Sequence, residues 1–525
     1  MAASLVLLVQ EGEQRLSRPW LILLVVGVFL HLLAASSSDL GLDAHVRLNA
    51  ANDDRFQDPT LAWGKTRIDA NTVQDPDTPA VYSGVIAPWM MSATAAKAAS
   101  VFTVILLAFV AQRRPAWWSS TKQVADLRWP AFILLSPVML FSASRGYDEG
   151  ILALFGGIGL IGVYIWDGTQ VHHRRWTAAF MGCSTALVLA WKGFDAPLLL
   201  GALGFHFVVH EVWERWHQRQ SGRTSDPITG QPLKMAGLSS MLTYAMILSL
   251  GYRSSTGTFA VIGQEPLTFV LASALALVNV AFMLLIGFML WPSLLTNIRS
   301  MTSIRGLSMT MLSSWISAVL TGVIAYMAAL WTLESQLWGR HVLEMALILA
   351  NNGRYATVMI LPLILLLRWI SESTIRVEPQ PDARSVSRMH IVALLILTPM
   401  LLFTSLVGQQ LWSEDAGDAL LLQMDEEGST FLMVAPPTLA MHHLYAIKTQ
   451  VDLDGNRNVD AYWRVSEDAS QFLESSPRSI DFLLVAPQSS FVVDEQRWML
   501  VDSQEVPRHL SLIQDGRWHL YRPLG

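Results

Sequence analysis

The sequence has a single cysteine, which excludes a framework of disulfide bonds. Cys183 lies within an apolar run and has no second cysteine to pair with, so neither an intrachain disulfide nor a cysteine-based metal site can form. Charged residues are also scarce, at 15% of 525 residues. With 52% hydrophobic residues and a mean hydropathy of +0.37, the chain has too few polar side chains to cover a soluble surface. The composition predicts a protein that lies mostly within a membrane.

Long apolar runs are abundant and predict the membrane spans. A helix needs roughly 20 apolar residues to cross the hydrocarbon core, and fewer where neighbouring helices shelter it. The fold class predicted is an α-helical polytopic membrane protein of about eleven transmembrane helices with a C-terminal soluble α/β domain. The spans are expected at 20–37, 97–112, 129–143, 150–166, 176–190, 196–213, 236–251, 267–290, 307–331, 355–370 and 389–407.

The distribution of lysine and arginine predicts the orientation in the cell membrane. Basic residues gather before the first span and in alternate loops after it, which is typical of cytoplasmic segments. The first intervening loop, 38–96, instead carries eight aspartates. We therefore expect a cytoplasmic N-terminus and an extracytoplasmic first loop and C-terminal tail. The alternative is an N-terminal signal peptide with its apolar core from Leu21, and its removal would leave the acidic loop outside as well.

The composition changes beyond Gly408. Apolar runs shorten to strand length and alternate with charged turns, and "STFLMVAPP" and "IDFLLVAP" are typical of buried strands. The sequence predicts a transmembrane domain at 1–407 and a C-terminal extracytoplasmic α/β domain at 408–525. Within the latter, "HHLY" at 442–445 is interpreted as ordinary domain surface. The segment 334–352 is ambiguous and is interpreted as an amphipathic helix on the outer interface, since a spanning helix there would place the tail in the cytoplasm.

Charged groups at the predicted helix ends are the candidate functional residues. Burying an ion near hydrocarbon is costly, so such groups usually face a cavity, a partner or water. Three clusters and a weaker fourth fall on the predicted outer side: Asp39, Asp43, His45 and Arg47; Arg145, Tyr147, Asp148 and Glu149; Asn351, Asn352, Arg354 and Tyr355; Lys192 and Asp195. The alternative for each cluster is a solvated helix end without function.

The spacing within the first cluster favours a shared surface. If 38–48 continues the preceding span as a helix, Asp39 and Asp43 lie on one face, with Arg47 one turn further on. A carboxylate in this position could act as a general base or bind a metal ion. Arginine could hold a phosphate by paired hydrogen bonds.

The order of these motifs resembles the GT-C superfamily of polytopic membrane glycosyltransferases, and within it the protein mannosyltransferase and aminoarabinose transferase type. The resemblance covers most of the chain: a first span followed by an acidic loop with "DLGLDAHVRL", two short spans joined by "SASRGYDEG", a late "NNGRYATVMILP" and a soluble domain after the last span. Two departures are Ala44, where members often have an acidic residue, and the absence of a second proline after Pro362.

The resemblance implies roles for individual residues. Asp43 matches the catalytic acidic residue of the first loop, with Asp39 as the second choice, and Asp148 matches a further acidic residue, with Glu149 behind it. Arg354 matches an arginine that contacts the lipid phosphate. Substrate-binding roles are expected for His45, Arg47, Arg145, Glu149, Lys192, Arg354 and Tyr355.

The implied activity is the inverting transfer of a sugar from a polyprenyl- or dolichyl-phosphate donor on the outer face of the membrane. The acceptor stays open among protein, glycan and lipid, and no nucleic acid is expected as a partner. A divalent cation, Mg²⁺ or Mn²⁺, is a further possibility, because some members of the superfamily bind one and others do not. The alternatives are a transporter or flippase of a lipid-linked substrate and a non-enzymatic assembly factor. A transporter would favour charges deep within helices and two related halves.

Overall fold

The computed structural model describes 18–52, 92–115, 117, 127–166, 170–191, 201, 204–206, 208–213, 230–249, 261–297, 307–348, 350–374, 388–406, 411–424, 429–437, 439–453, 456–457, 459–475, 479–506 and 516–524. Within these residues a large helical part precedes a small sheet. The predicted division into domains at 407/408 stays a prediction.

The helical part begins with helices that differ widely in length. These are α1 (Arg18–Ser37), α2 (Leu42–Asn52), α3 (Ala93–Ala111), α4 (Arg128–Leu134), α5 (Pro137–Ser144), α6 (Glu149–Ile158), α7 (Ile161–Ile165), α8 (Val171–Trp191) and α9 (Gly230–Ser249). It continues with α10 (Val261–Gln264), α11 (Pro266–Phe282) with a π-helical turn at Met283–Gly287, α12 (Leu290–Asn297), α13 (Leu307–Trp338), α14 (Val342–Ile348), a 3-10 helix (Ala350–Met359), α15 (Ile360–Thr374) and α16 (Arg388–Leu406).

Five helical segments among the described residues have the length and apolar composition to cross a membrane. They are Pro19–Ser37, Ala93–Ala111, Pro266–Gly287, Met309–Gln336 and Arg354–Ser371, and each overlaps a predicted span. Leu267, Val270 and Val278 of α11 are exposed, which suits a surface that faces lipid rather than water. The predicted total of eleven spans stays a prediction, and part of the span expected at 196–213 lies outside the described residues.

Two predicted spans are each broken into two short helices. The run 129–143 divides into α4 and α5 because Pro137 begins a new helix and the Ser136 hydroxyl caps it by accepting from the backbone N–H of Met139. The run 150–166 divides into α6 and α7. As a result, polar residues of the loops that connect these short helices lie next to buried helix ends.

The segment 334–352 differs from its prediction. Residues up to Trp338 continue the long helix α13, and only Val342–Ile348 forms a separate helix. A seven-residue helix is roughly 10 Å long, which is too short to cross a bilayer. The segment therefore does not supply a further span.

The C-terminal part is a mixed sheet covered by helices. Its elements are α17 (Trp412–Gln423), β1 (Ser429–Val434), α18 (Ala440–Val451), β2 (Val459–Arg464), α19 (Ser466–Ser475), β3 (Phe482–Val485), β4 (Trp498–Glu505) and β5 (Arg517–Pro523). The strand order is β2-β1-β3-β5-β4. Strand β1 pairs in parallel with β2 and β3, whereas β5 is antiparallel to β3 and β4.

The two predicted buried strands are confirmed as β1 and β3. Along β1, Phe431 and Met433 enter one apolar cluster, whereas Leu432 and Val434 enter another. Successive side chains of a strand point to opposite faces, so a strand buried on both faces is apolar throughout. This explains the uninterrupted apolar runs of both segments.

Candidate active site

The first acidic motif forms a helix of its own. Helix α1 ends at Ser37, and α2 begins at Leu42. Between them the backbone N–H of Gly41 donates to the Arg145 carbonyl at 2.9 Å. The expectation of a continuous helix over 38–48 is therefore wrong, because this contact with the Arg145 loop interrupts it. Asp43 and Arg47 share α2, whereas Asp39 lies before it.

Arg354 joins two of the predicted acidic clusters. Its Nη2 forms an ion pair and hydrogen bond with Oδ2 of Asp43, and its Nε lies 3.1 Å from Oε1 of Glu149. The Arg354 side chain is 5% exposed and that of Glu149 is fully buried, whereas the Asp43 side chain is 34% exposed. Asp43 is therefore the carboxylate of this cluster that a ligand can reach.

Aromatic rings surround the Arg354 guanidinium. Its Cζ lies 4.3 Å from the centroid of the Tyr147 ring and 5.4 Å from that of Tyr355. A cation over an aromatic face is attracted by the ring quadrupole. Burial raises the pKa of Tyr147 to about 12, so its hydroxyl stays neutral. The rings and the two carboxylates together fix the guanidinium in place.

Asp148 occupies a second, separate charge pair. Its Oδ2 lies 3.0 Å from Nη2 of Arg47, and the same oxygen accepts a hydrogen bond from the Trp191 indole. The Asp148 side chain is 1% exposed. This geometry indicates that Asp148 orients α2 through Arg47. Lys192, which directly follows Trp191, lies outside the described residues.

His45 connects α2 with the C-terminal part. Its Nε2 lies 2.6 Å from Oε1 of Glu414, and its Nδ1 lies 2.9 Å from the Thr449 hydroxyl. Asn49, one turn further on, donates to the Tyr445 carbonyl at 3.1 Å. These bonds dock the sheet part onto α2, close to the candidate site.

Asp39 and Arg145 lie together beside this junction. Oδ2 of Asp39 accepts a hydrogen bond of 2.6 Å from the backbone N–H of Leu411. Burial and repulsion from Glu414 raise the pKa of Asp39 to about 7. The Arg145 guanidinium lies 3.7 Å from the centroid of the Phe141 ring, and burial lowers its pKa to about 10. Both residues are thus placed beside the Asp43–Arg354 cluster and outside its direct contacts.

Sequence reasoning missed two residues near this cluster. Glu334, near the end of α13, is within electrostatic range of Asp43 and Arg354. His442 of α18 places its Nε2 3.6 Å from Oδ1 of Asp43. The interpretation of "HHLY" as ordinary surface is wrong, because His443 and Tyr445 are buried. A useful signal for Glu334 is its position as an acidic residue directly after a long apolar run.

The donor side chains of the candidate site show how far it suits a metal ion. In the described part of the chain, no group of three or more His, Cys, Asp or Glu side chains is arranged to hold a metal ion. Asp43 and Glu149 share the Arg354 guanidinium as their cation. A divalent cation, Mg²⁺ or Mn²⁺, therefore stays a possibility that the transfer assay can test.

Gly41→Ala is expected to destabilise the protein and lower its activity. A methyl group at Gly41 would overlap the Tyr147 ring, with Cε1 and Oη only 2.6 and 2.7 Å away. Such overpacking typically costs about 1–3 kcal/mol, and it would displace the ring that lies beneath Arg354. Thermal unfolding of the purified protein measures the loss. Gly237→Ala is the matched control because a methyl group there meets open space; equal stability of both variants would contradict the prediction.

Asp39→Asn is expected to remove a pH dependence of stability. Because the pKa of Asp39 is raised from 3.8 to about 7 in the folded protein, folding favours the protonated form. Its contribution to stability is therefore greatest below about pH 4 and declines as the pH rises to about 7. Asparagine keeps an oxygen for the Leu411 N–H and carries no charge.

Melting temperatures between pH 4 and 8 measure this effect. At pH 8 the Asp39→Asn variant is expected to melt roughly 1 °C above the wild type, as for a gain of about 1 kcal/mol in a chain of this size. Asp502→Asn changes an exposed aspartate and serves as the control. A lower melting temperature for Asp39→Asn at pH 8 would show that the charge is stabilising.

The similarities of this chain to known proteins are found in structure and not in sequence. No family model and no curated protein matches it by sequence. Among solved structures it is similar to ArnT from Cupriavidus metallidurans bound to undecaprenyl phosphate, with 13% identity, a TM-score of 0.43, and coverage of 96% of this chain and 98% of that chain. The apo state of the same ArnT gives 14% identity, a TM-score of 0.43 and the same coverage.

A third similar structure is the arabinofuranosyltransferase AftD from Mycobacteria, mutant R1389S. It has 14% identity and a TM-score of 0.35, with coverage of 96% of this chain and 41% of that chain.

Proposed function

We propose that this chain is a membrane glycosyltransferase that moves a sugar from a polyprenyl- or dolichyl-phosphate donor to an acceptor on the outer face of the membrane. The observation that carries the proposal is the single Arg354 guanidinium held between Asp43 and Glu149. These residues come from the three segments on which the resemblance to glycosyltransferases depends. A reachable carboxylate beside a fixed cation is what such a reaction requires.

The position of Arg354 favours an anionic lipid as the ligand. Arg354 lies at the beginning of Arg354–Ser371, a segment apolar enough to cross a membrane. A ligand with a phosphate head and an apolar tail could therefore pair with the guanidinium while its chain lies among helices. Charge-assisted, bidentate contacts between arginine and phosphate are among the stronger hydrogen bonds in proteins.

Donor binding would prepare Asp43 for proton transfer. In the structure the Nη2 side of Arg354 is paired with Asp43, whereas Nε faces the buried Glu149. A phosphate that takes the place of Asp43 at Nη2 would release its carboxylate as a general base, while Glu149 keeps the guanidinium in place. The donor phosphate thus replaces Asp43 as the negatively charged partner of Arg354.

The transfer follows as an inverting displacement. Asp43 takes the proton of the acceptor hydroxyl, whose oxygen forms a bond to the anomeric carbon. The bond from that carbon to the phosphate oxygen breaks, and its electron pair leaves with the lipid phosphate. A fixed cation at the leaving group lowers the barrier because it stabilises the developing charge. Arg354 is the residue that provides this fixed cation at the leaving phosphate.

A transporter of a lipid-linked sugar is the second candidate. The observation in its favour is that two apolar runs are interrupted, at 135–136 between α4 and α5 and at 159–160 between α6 and α7. Interrupted helices are common at transporter binding sites. The charges of the Arg354 cluster, however, lie at helix beginnings, with Asp43 in the first turn of α2 and Glu149 at the start of α6.

One experiment separates the two functions. Purified wild-type protein in vesicles receives a donor labelled in its sugar, together with protein, glycan and lipid acceptors. The proposal expects the label to leave the donor and become covalently attached to one acceptor. Label that stays on the donor lipid but crosses the bilayer in a protein-dependent way would establish transport instead.

A further inference from the structure

A histidine of the C-terminal part lies beside the reachable carboxylate of the candidate site. Nε2 of His442 is 3.6 Å from Oδ1 of Asp43, while Arg354 contacts the other oxygen, Oδ2. The His442 and Asp43 side chains are 35% and 34% exposed, so both border the same solvent-accessible rim. Asp43 therefore has a buried cation on one side and an imidazole that reaches water on the other.

The position of His442 is fixed by its neighbours on α18. His443 is buried, with Nδ1 2.9 Å from the Ser413 hydroxyl and its ring 4.8 Å from that of Trp412. Two residues after His443, the carbonyl of the buried Tyr445 accepts a hydrogen bond from Asn49 of α2. These contacts hold the beginning of α18 against α2, which is the helix that carries Asp43.

We propose that His442 is a positioning residue that acts through Asp43 and relays its proton to water, so that helix α18 of the C-terminal part completes the active site. The proposal rests on the transferase function above. The acceptor O–H bond breaks and its proton moves to Asp43 while the new carbon–oxygen bond forms. The proton then passes to Nε2 of His442, and the proton on Nδ1 leaves to water. Asp43 is then ionised again, and the imidazole returns to its initial tautomer when its Nε2 proton passes to water and Nδ1 takes a proton up from water.

Burial, together with the charges that face His442, determines whether its ring can accept a proton. Asp43 and Arg354 face it from α2 and the 3-10 helix, and His443 is its neighbour on α18. Burial lowers the pKa of His442 below 6.5; Arg354 acts in the same direction, and Asp43 opposes both. A neutral imidazole at pH 7 has a free lone pair on one ring nitrogen, and acidification removes it. Transfer is therefore expected to slow as the pH falls through this pKa.

The test compares His442→Ala and His442→Gln with the wild type in full-length protein. Transfer from a labelled polyprenyl-phosphate hexose is expected to fall about 10- to 100-fold in both variants, at the lower end of general acid–base effects. Added imidazole is expected to restore much of the rate of His442→Ala. The acidic limb of the pH profile of His442→Gln is expected to move to lower pH, because glutamine has no imidazole that can be protonated. His519→Ala and His519→Gln, on strand β5, are the matched controls. We expect them to keep the wild-type rate and pH profile and to show no response to added imidazole.

Three results would overturn the relay. A wild-type rate and pH profile in His442→Ala would show that the imidazole takes no part. A lowered rate with an unchanged profile and no response to imidazole would show a purely structural role. If the wild type itself transfers no sugar from any lipid-phosphate donor, the proposed function fails first and the relay with it, whereas the first two results leave that function intact.

Discussion

Arg354→Lys is expected to lower sugar transfer at least about 100-fold, the size of effect seen when one preorganised charge stabiliser is removed. Lysine keeps the positive charge but has one ammonium on a flexible stem, so it cannot bond Asp43 and Glu149 through two separate nitrogens. The planar contact with the Tyr147 ring is lost as well. Initial rates with a labelled lipid-phosphate donor, at equal protein levels, measure the loss.

The comparison with Arg354→Ala separates chemistry from folding. Alanine leaves the fully buried Glu149 without its cation, and breaking a buried pair in this way typically costs about 3–5 kcal/mol. Arg354→Lys keeps a cation and should lose much less stability. Arg340→Lys, close by in the chain, is the control and should transfer normally. If Arg354→Lys kept most of the wild-type rate, Arg354 would not hold the leaving phosphate.

Asp43→Asn is the second change with a large expected effect. An asparagine fills the same volume and can still bond Arg354 through its oxygen, but it cannot take a proton from an acceptor. Loss of a general base typically lowers the rate about 10²- to 10⁴-fold. Arg354 keeps Glu149 as its partner, so the melting temperature should change little. The rate with saturating donor and acceptor measures the effect.

Asp39→Asn is the matched control for Asp43→Asn. It makes the same chemical change four residues earlier, where the carboxyl group bonds Leu411 rather than Arg354. We expect Asp39→Asn to keep its transfer activity at pH 7. Loss of transfer in Asp39→Asn together with normal transfer in Asp43→Asn would move the base to Asp39 and refute the assignment.

The charged clusters of the candidate site could be identified from the sequence because charge is so rare in this chain. Asp43, Glu149 and Arg354 stand at the ends of apolar runs, where an ion is costly unless it is used or paired. The structure brings these three together. Helical spacing, however, could not predict that Asp39 points elsewhere, because the break between α1 and α2 depends on a hydrogen bond from Gly41 to the distant Arg145 carbonyl.

The contribution of the C-terminal part could not be found by local patterns. The run "HHLY" has the composition of an exposed turn, yet His443 packs on Trp412 and His442 lies beside Asp43, almost 400 residues away in sequence. Such contacts depend on how α18 docks on α2, and no periodicity within either segment encodes that docking. Strands β1 and β3, by contrast, are apolar on both faces, and that property is visible within a few residues.

A comparison of two donors shows whether the protein uses a lipid-phosphate sugar or a nucleotide sugar. Wild-type protein in vesicles is given the same labelled sugar either as a polyprenyl-phosphate ester or as a nucleotide ester, with an acceptor mixture in both cases. We predict that the acceptor is labelled from the lipid-phosphate donor alone, with inversion at the anomeric carbon. Labelling from the nucleotide donor at an equal rate, or no labelling from any lipid-phosphate donor by folded protein, would contradict it.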